Sequence, residues 1–98
     1  MKKSNIEVES IKKKIIPILI DNKVSKAGIF GSFARGEQKK RSDVDILVEI
    51  PDNRSLLEVI RLKLLLEKAL KKRVDLVEYE LIRKEIKESV LNDEIQII

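Results

Sequence analysis

The sequence predicts an α/β or α+β sandwich built on a sheet of few strands. Segments with apolar residues at helical spacing alternate along the chain with short runs rich in Val and Ile, in the order helix, strand, turn, strand, helix, strand, helix. Apolar residues make up 43% of the 98 residues and charged residues 39%, which is typical of a globular chain. A chain of this length gathers most of its apolar residues into one core, so we expect a single domain over residues 1–98.

The first helix is predicted over residues 6–23, where apolar residues recur at helical spacing. These residues are Ile6, Ile11, Ile15, Ile18 and Leu19. Ser4 and Glu7 have the spacing of a capping box, so the helix is expected to begin near residue 5. Pro17 lies inside the segment and is expected to kink the helix, or to end it and start a new turn.

Two strands and a turn are predicted next. Residues 24–30 form a short strand that ends at Gly31, and the polar stretch SFARGEQKKRS, with Gly36 inside it, predicts a helical turn followed by a loop. DVDILVEI, residues 43–50, predicts a strand with two different faces. One face carries Val44, Ile46, Val48 and Ile50, and the other carries Asp43, Asp45, Leu47 and Glu49.

The second half of the chain adds two helices and a strand. Ser55 and Glu58 form another capping-box pattern, which opens a long helix over residues 55–72. VDLVEY, residues 74–79, predicts a third strand, and a last helix is expected from about residue 81 to about residue 91. The alternating isoleucines after it fit either a strand or a frayed helix end; they are Ile95, Ile97 and Ile98.

Composition excludes several classes of site. The chain has no cysteine and no histidine, which excludes thiol redox chemistry, the usual zinc sites and Ser–His or Cys–His nucleophiles, so any metal must be held by oxygen ligands. Aromatic residues are only 3%, which disfavours base-stacking platforms. The N-terminus MKKSNIEVES is polar and IIPILI is too short to span a bilayer, so we expect a cytoplasmic protein without a membrane segment.

Positive charge is concentrated in the first half of the chain. Residues 1–41 contain eleven Lys and Arg against four Asp and Glu, a net +7, whereas the whole chain carries +4. A basic half fits a nucleic acid or a phosphate as partner, but for the lysines as a group solvated faces on helices are favoured. Direct nucleic-acid binding is disfavoured, because no helix-turn-helix pattern or reading aromatics accompany the charge.

Three aspartates are candidate metal ligands. Asp43 and Asp45 are two residues apart on a predicted strand and share a face, so both carboxylates can converge on one ion. Mg²⁺ suits such a pair, because it prefers carboxylate oxygens together with water and substrate phosphates. If the third strand lies beside residues 43–50, Asp75 completes a cluster able to hold two metals. A surface D-x-D and a strand-start acid remain the alternatives.

A Gly-Ser pair precedes these acids by ten residues. Gly31 lets the backbone approach a ligand closely, and Ser32 is expected to cap the following turn, whose free N–H groups favour phosphate oxygens. The pair alone also fits a plain strand-to-helix turn, and no Walker loop or G-x-G-x-x-G is present. The prediction of a phosphate-binding turn beside a metal site therefore depends on the ten-residue spacing between the Gly-Ser pair and the aspartates.

The joint motif, Gly31-Ser32, ten residues and then Asp43-Val44-Asp45, resembles the signature of the DNA polymerase β-type nucleotidyltransferase superfamily. The string GSFARGEQKKRSDVDILVE is similar to the minimal nucleotidyltransferase (MNT) domains, including the antitoxins of HEPN/MNT toxin–antitoxin pairs. RVDLVEYE, after a Leu-rich helix, matches the place of that family's third acid. The resemblance covers about residues 5–98 and implies a short mixed sheet with helices packed on one face.

The resemblance also implies a chemistry. Gly31 and Ser32 would bind the β- and γ-phosphates of a nucleoside triphosphate, and ATP is the expected substrate. Asp43, Asp45 and Asp75 would hold Mg²⁺, with two ions expected, and Asp75 would help deprotonate the attacking hydroxyl. The reaction is an in-line attack on the α-phosphate with loss of pyrophosphate.

Three neighbouring groups have two interpretations each. Arg35 either contacts phosphate or forms a structural ion pair, and Ser42 either hydrogen-bonds near the metal or caps the strand entry. Residues 39–41 could steady the triphosphate, although for Lys39 and Lys40 a solvated loop is favoured.

The acceptor is expected on a partner, because a chain of this length leaves no room for an acceptor-binding domain. The resemblance implies an antitoxin that adenylylates a tyrosine of a HEPN-type ribonuclease toxin, within a hetero-oligomer. The helix over residues 55–72 is apolar nearly all round its circumference. Burial by the core together with another chain and burial by the core alone explain this about equally well. The alternatives are a nucleotidyltransferase subunit acting on a small molecule or a nucleic-acid end, and an antitoxin that only binds.

Overall fold

The computed structural model describes residues 6–51 and 54–98. Its elements are α1 Ile6–Asp21, β1 Lys26–Phe30, α2 Gly31–Arg35, β2 Val44–Glu49, α3 Leu56–Leu70, β3 Val74–Glu78, a 3-10 turn Tyr79–Leu81, α4 Lys84–Asp93 and β4 Ile95–Gln96. The strands form one mixed sheet in the order β3-β2-β1-β4. β1 is antiparallel to β2 and β4, and β2 is parallel to β3. The predicted class, a short mixed sheet with helices packed on it, is confirmed.

The core lies between one face of the sheet and helices α1 and α3. The strand side chains on this face are buried, as the alternation in DVDILVEI predicts; they are Ala27, Ile29, Val44, Ile46 and Val48. The helices cover them with seven buried side chains, namely Val8, Ile11, Ile15, Leu19, Leu62, Leu66 and Leu70. The two helices also contact each other, so sheet and helices enclose one apolar cluster.

The opposite face of the sheet carries the acidic residues and is only partly covered. The C-terminal end of α4 reaches this face, where the Glu94 side chain lies over Gly28: a Cβ on Gly28 would stand 2.6 Å from Glu94 Cδ. Tyr79 donates its hydroxyl hydrogen to Glu94 Oε2, and the 3-10 turn contacts β2. Leu47, which lies on this same face, is fully buried.

Helix α1 continues through Pro17 to Asp21, so of the two outcomes expected at Pro17, a kink or an ending, the ending is not observed. Pro17 and Lys13 are both exposed. The Lys13 carbonyl, which loses its helical donor to the proline ring, can therefore be hydrated. Ser4, the predicted capping residue, lies outside the described residues.

Helix α3 begins with the predicted capping box. Ser55 Oγ accepts from the Glu58 backbone N–H at 3.2 Å, and Glu58 Oε1 accepts from the Ser55 backbone N–H at 3.4 Å. The side of α3 away from the core is exposed in this chain, with Leu56 75%, Leu57 74% and Leu64 57% exposed. The core therefore covers one side of this Leu-rich helix.

The last helix begins later than the sequence predicts. Residues 79–81 form the 3-10 turn and α4 starts at Lys84, because buried Tyr79 holds the chain against the sheet through its contact with Glu94. Of the two alternatives for the C-terminal isoleucines, the strand is observed: Ile95 pairs with Ile29. Within residues 6–51 and 54–98, no helix combines the length and apolar character needed to cross a bilayer.

Candidate active site

The three predicted aspartates lie at the same end of the sheet, where β2 and β3 begin. Asp45 and Asp75 are register partners on these parallel strands, whose spacing is about 4.8 Å. Asp43 directly precedes β2 and, by strand alternation, lies on the same face as Asp45. The condition set by the sequence analysis, that the third strand lies beside residues 43–50, is therefore met, and Asp45 and Asp75 are neighbours across the two strands.

The surroundings of Asp45 disfavour its ionised form. Burial raises the pKa of its carboxyl group to about 6, and the negative charges of Asp75 and Asp43 add to the effect. The guanidinium of Arg35 acts in the opposite direction but does not cancel it. A positive charge bound here would favour the ionised form of Asp45.

The donor set fits a hard divalent cation by its chemistry. All three side chains offer carboxylate oxygens, the ligands that Mg²⁺ prefers, and Asp43 and Asp75 are exposed and thus free to rotate. In the part of the chain that the structure describes, no three acidic, His or Cys side chains have already converged on one metal position. Their mutual repulsion opposes such convergence, and a cation would reverse it.

Gly31 lies directly against the Asp45 carboxylate. Its φ of +71° lies in the left-handed region that L side chains rarely adopt. A Cβ at this position would also stand 2.9 Å from Asp45 Cγ and 3.3 Å from Asp45 Cβ. The backbone at the start of α2 and the Asp45 side chain therefore pack directly against each other, and only glycine fits at position 31.

Ser32 does not cap the following turn, contrary to the sequence prediction. Helix α2 starts at Gly31, two residues earlier than a helix capped by Ser32 would, so the capping position falls on Phe30, which makes no side-chain capping bond. Ser32 is then the second residue of the helix, and its carbonyl accepts from the Glu37 N–H at 2.9 Å. Its half-buried hydroxyl makes no hydrogen bond to the described residues.

Arg35 forms the ion pairs that one of its two interpretations predicts. Its Nε lies 3.0 Å from Glu37 Oε1, and its Nη1 lies 3.5 Å from Asp93 Oδ2 on α4. The hydrogen bond to Glu37, together with the charges of Glu37 and Asp93, raises the pKa of the exposed guanidinium. Arg35 thus links α2 to α4 and still acts on Asp45, whose pKa it lowers.

Ser42 closes the loop that leads into β2. Its Oγ accepts from the Lys39 backbone N–H at 2.7 Å, and its own N–H donates to the Lys39 carbonyl at 3.0 Å. Of its two interpretations, capping the strand entry is therefore the one observed. Lys39, Lys40 and Arg41 are exposed on this loop.

One group of basic residues near the acids was missed at the sequence level. The turn between α3 and β3, residues 71–73, faces the loop 40–43 across a surface cavity of about 430 Å³. The two walls are tied together by Lys72 Nζ, which donates to the Lys40 carbonyl at 3.1 Å. The signal was present as KKR, which stands two residues before Asp75.

Sequence comparison relates the chain to nucleotidyltransferases. The family model described as polymerase beta, nucleotidyltransferase matches residues 13–98. A protein of Methanocaldococcus jannaschii, provisionally named a protein adenylyltransferase, is 46% identical over 93 residues, which cover 95% of this chain and 100% of that protein. The protein adenylyltransferase MntA of Thermococcus cleftensis is 46% identical over 70 residues, which cover 71% of each chain.

Structural comparison gives the same relationship. A structure provisionally named a minimal nucleotidyltransferase matches with a TM-score of 0.80 and 32% identity over 95% of both chains. A toxin–antitoxin crystal structure with AMP-PNP matches with a TM-score of 0.78 and 31% identity, covering 89% of this chain and 72% of that one. A complex of a tri-AMPylated Shewanella oneidensis HEPN toxin with an MNT antitoxin matches with a TM-score of 0.71 and 27% identity, covering 92% of this chain and 71% of that one.

Proposed function

The chain belongs to the polymerase beta nucleotidyltransferase family, and we propose that it transfers AMP from ATP to a hydroxyl group of a partner protein. The observation that carries the proposal is the register of Asp45 and Asp75 on adjacent parallel strands, beside the Gly31 backbone. This arrangement sets paired carboxylates next to a turn that a phosphate chain can approach closely. The names of two relatives, both protein adenylyltransferases, support the nucleotide and the class of acceptor.

In this proposal, Asp43, Asp45 and Asp75 hold Mg²⁺. When bound, Mg²⁺ neutralises the charge that develops on the α-phosphate and makes the attacking hydroxyl more acidic. The exposed carboxylates of Asp43 and Asp75 can turn toward the ion, while Asp45 is fixed against Gly31 and defines its position. This assignment of roles explains why a half-buried carboxylate stands between two others.

The phosphate chain lies along the start of α2 in this proposal. Gly31 brings the backbone at the start of α2 against Asp45, so phosphates bound to the same ion lie beside this turn, and the Ser32 hydroxyl, which makes no hydrogen bond to the described residues, donates to a β- or γ-phosphate oxygen. Arg35 turns from Glu37 and Asp93 toward the same phosphates, which offer it a more concentrated negative charge.

The transfer step needs a proton acceptor and a leaving group. A carboxylate oxygen of Asp75 accepts the proton of the acceptor hydroxyl as the hydroxyl oxygen bonds to the α-phosphorus. The bond from the α-phosphorus to the bridging oxygen breaks, and pyrophosphate leaves on the side of Gly31 and Ser32. The products are the AMP ester of the acceptor and pyrophosphate.

The proposed acceptor is a tyrosine of a HEPN-type ribonuclease toxin, which makes this chain its antitoxin. A complex between a tri-AMPylated HEPN toxin and an MNT antitoxin, to which this chain is 27% identical, supports such a partner. The exposed leucines of α3 support a surface for protein assembly.

The first test combines the chain with Mg²⁺, ATP labelled at the α-phosphate and the protein encoded by the neighbouring gene. We expect label on a tyrosine of that protein, lost with Asp45→Asn and retained with Asp21→Asn, an exposed acid at the end of α1. No label on any chain, despite binding of Mg-ATP, would contradict catalysis. If Asp43→Asn with Asp45→Asn still neutralises the toxin, the chain is an antitoxin that only binds.

A further inference from the structure

The cavity beside Asp43 is lined almost entirely by cations. Its lining residues are Lys40, Arg41, Ser42, Asp43, Lys71, Lys72 and Arg73, so five positive charges face a single carboxylate. The walls are fixed: Lys72 is bonded to the Lys40 carbonyl, and Lys71, with a φ of 55°, donates its N–H to the Glu67 carbonyl at 2.7 Å. The charge is therefore presented by an ordered turn and an ordered loop.

The two arginines of this cavity are unpaired within the described residues. Arg41 and Arg73 make no side-chain hydrogen bond or ion pair there, whereas Arg35 and Arg54 are both paired with acids. Free guanidinium groups on an ordered scaffold are suited to bidentate binding of carboxylates or phosphates. The cavity is thus a basic cleft with unused binding capacity for an anion.

The cleft lies on the acceptor side of the aspartates. Val44 N–H donates to the Arg73 carbonyl at 2.9 Å, which places Arg73 next to Asp43 at the entry to β3. Gly31 lies on the other side, toward β1. In an in-line displacement the attacking group enters opposite the leaving group, so pyrophosphate leaving toward Gly31 implies that the acceptor enters from the β3 side.

We propose that this cleft, lined by residues 40–43 and 71–73, is a docking subsite for a carboxylate-rich segment of the acceptor protein. The inference rests on the proposed function, because it takes the acceptor to be a protein. A single-stranded nucleic acid fits less well, since none of the lining residues is an aromatic on which a base could stack. The guanidinium groups of Arg41 and Arg73 bind the carboxylates, and the acceptor hydroxyl is delivered beside Asp75.

The test compares the double variant Arg41→Gln/Arg73→Gln with Lys84→Gln/Lys87→Gln, which removes the same charge from exposed positions on α4. We expect the first variant to raise the KM for the acceptor protein about tenfold at low salt, with the affinity for Mg²⁺-AMP-PNP unchanged. The second variant should leave both quantities unchanged. A deca-glutamate peptide should inhibit the wild type in competition with the acceptor and not with ATP.

Three results would overturn the proposal. Loss of AMP-PNP affinity in Arg41→Gln/Arg73→Gln would assign the cleft to the nucleotide's phosphates. Inhibition by deca-uridylate but not by deca-glutamate would assign it to nucleic acid. Equal effects of both double variants on the KM for the acceptor protein would show that the cleft acts only through the general positive charge of the chain. If the wild type labels no acceptor at all, the proposed function fails, and NMR shifts of the Arg41 and Arg73 Nε–H groups on adding deca-glutamate still test the cleft.

Discussion

The Asp45 carboxyl group occupies the position where any residue other than Gly31 would place its Cβ. The carboxyl carbon lies 2.9 Å from that position, and the glycine φ of +71° excludes most side chains independently. Glycine at the end of β1 therefore fixes two things, the path of the backbone into α2 and the position of the central carboxylate.

Gly31→Ala should abolish nucleotide transfer, because it displaces Asp45. Gly36→Ala is the matched control: Gly36 has a φ of +72°, but nothing lies within 4 Å of its Cβ position. Both variants should lose about 1–2 kcal/mol of folding free energy from left-handed backbone strain, and Gly31→Ala should lose more. Urea unfolding and label transfer measure the two effects. Equal activity of both variants would show that the contact with Asp45 is unimportant.

Asp45 should make the metal-free protein less stable as the pH rises. Its pKa is raised to about 6 from a usual value of 3.8, so the folded state holds this proton more tightly than the unfolded state does. The contribution is favourable below pH 4 and is lost as the pH rises toward 6. Subtracting the stability of Asp45→Asn at each pH isolates this contribution from the other acids. A difference that does not fall between pH 4 and 6, measured by thermal unfolding in EDTA, would contradict the assigned environment.

The Asp45 carboxylate also allows a prediction about Mg²⁺ binding. Mg²⁺ should lower the pKa of Asp45, so adding it at pH 7 should raise the melting temperature of the wild type and leave that of Asp45→Asn nearly unchanged. An equal rise in both proteins would place the ion elsewhere.

The elements of the site were predictable from the sequence to different degrees. The strand period places Val44 and Ile46 in the core and Asp45 opposite them, since a strand has only two faces. The neighbourhood of Asp45 and Asp75 needed the parallel pairing of β2 and β3, which no local pattern reports. Only the family resemblance of RVDLVEYE points to Asp75 as the third acid.

Other features depended on contacts that are distant in the sequence. The 3-10 turn at residues 79–81 follows from the bond between Tyr79 and Glu94, fifteen residues apart, so local periodicity extended the helix too far. Ser32 lies inside the helix and does not cap it because the helix begins two residues earlier than predicted, a shift that propensity does not resolve. Similarly, counting leucines in α3 does not reveal that Leu62, Leu66 and Leu70 are the leucines buried in the core.

Ser55→Ala should reduce stability without reducing activity. It removes the Oγ that caps α3, at a cost of about 1 kcal/mol, which corresponds to about 4–8 °C in melting temperature for a domain of this size. Ser89→Ala is the control, because Ser89 is exposed within α4 and has no capping role. Calorimetry measures the shift. A comparable loss in both variants would contradict a specific capping contribution.

Arg35 should be shared between α4 and the nucleotide, because the guanidinium that pairs with Asp93 is also the one proposed to contact phosphate. Asp93→Asn removes the 3.5 Å ion pair and leaves Arg35 with Glu37 alone, so the affinity for Mg²⁺-AMP-PNP should rise by about two- to fivefold, the modest gain expected at an exposed position. Arg35→Gln should lower this affinity and should raise the pKa of Asp45 further, because it removes the positive charge that lowers this pKa.

Glu88→Gln changes an exposed acid on the same helix and controls for general charge. Isothermal titration calorimetry gives the affinities and carboxyl NMR titration gives the pKa. A fall in affinity with Asp93→Asn would mean that α4 positions Arg35 for the nucleotide, and no change in either variant would mean that Arg35 only joins the two helices.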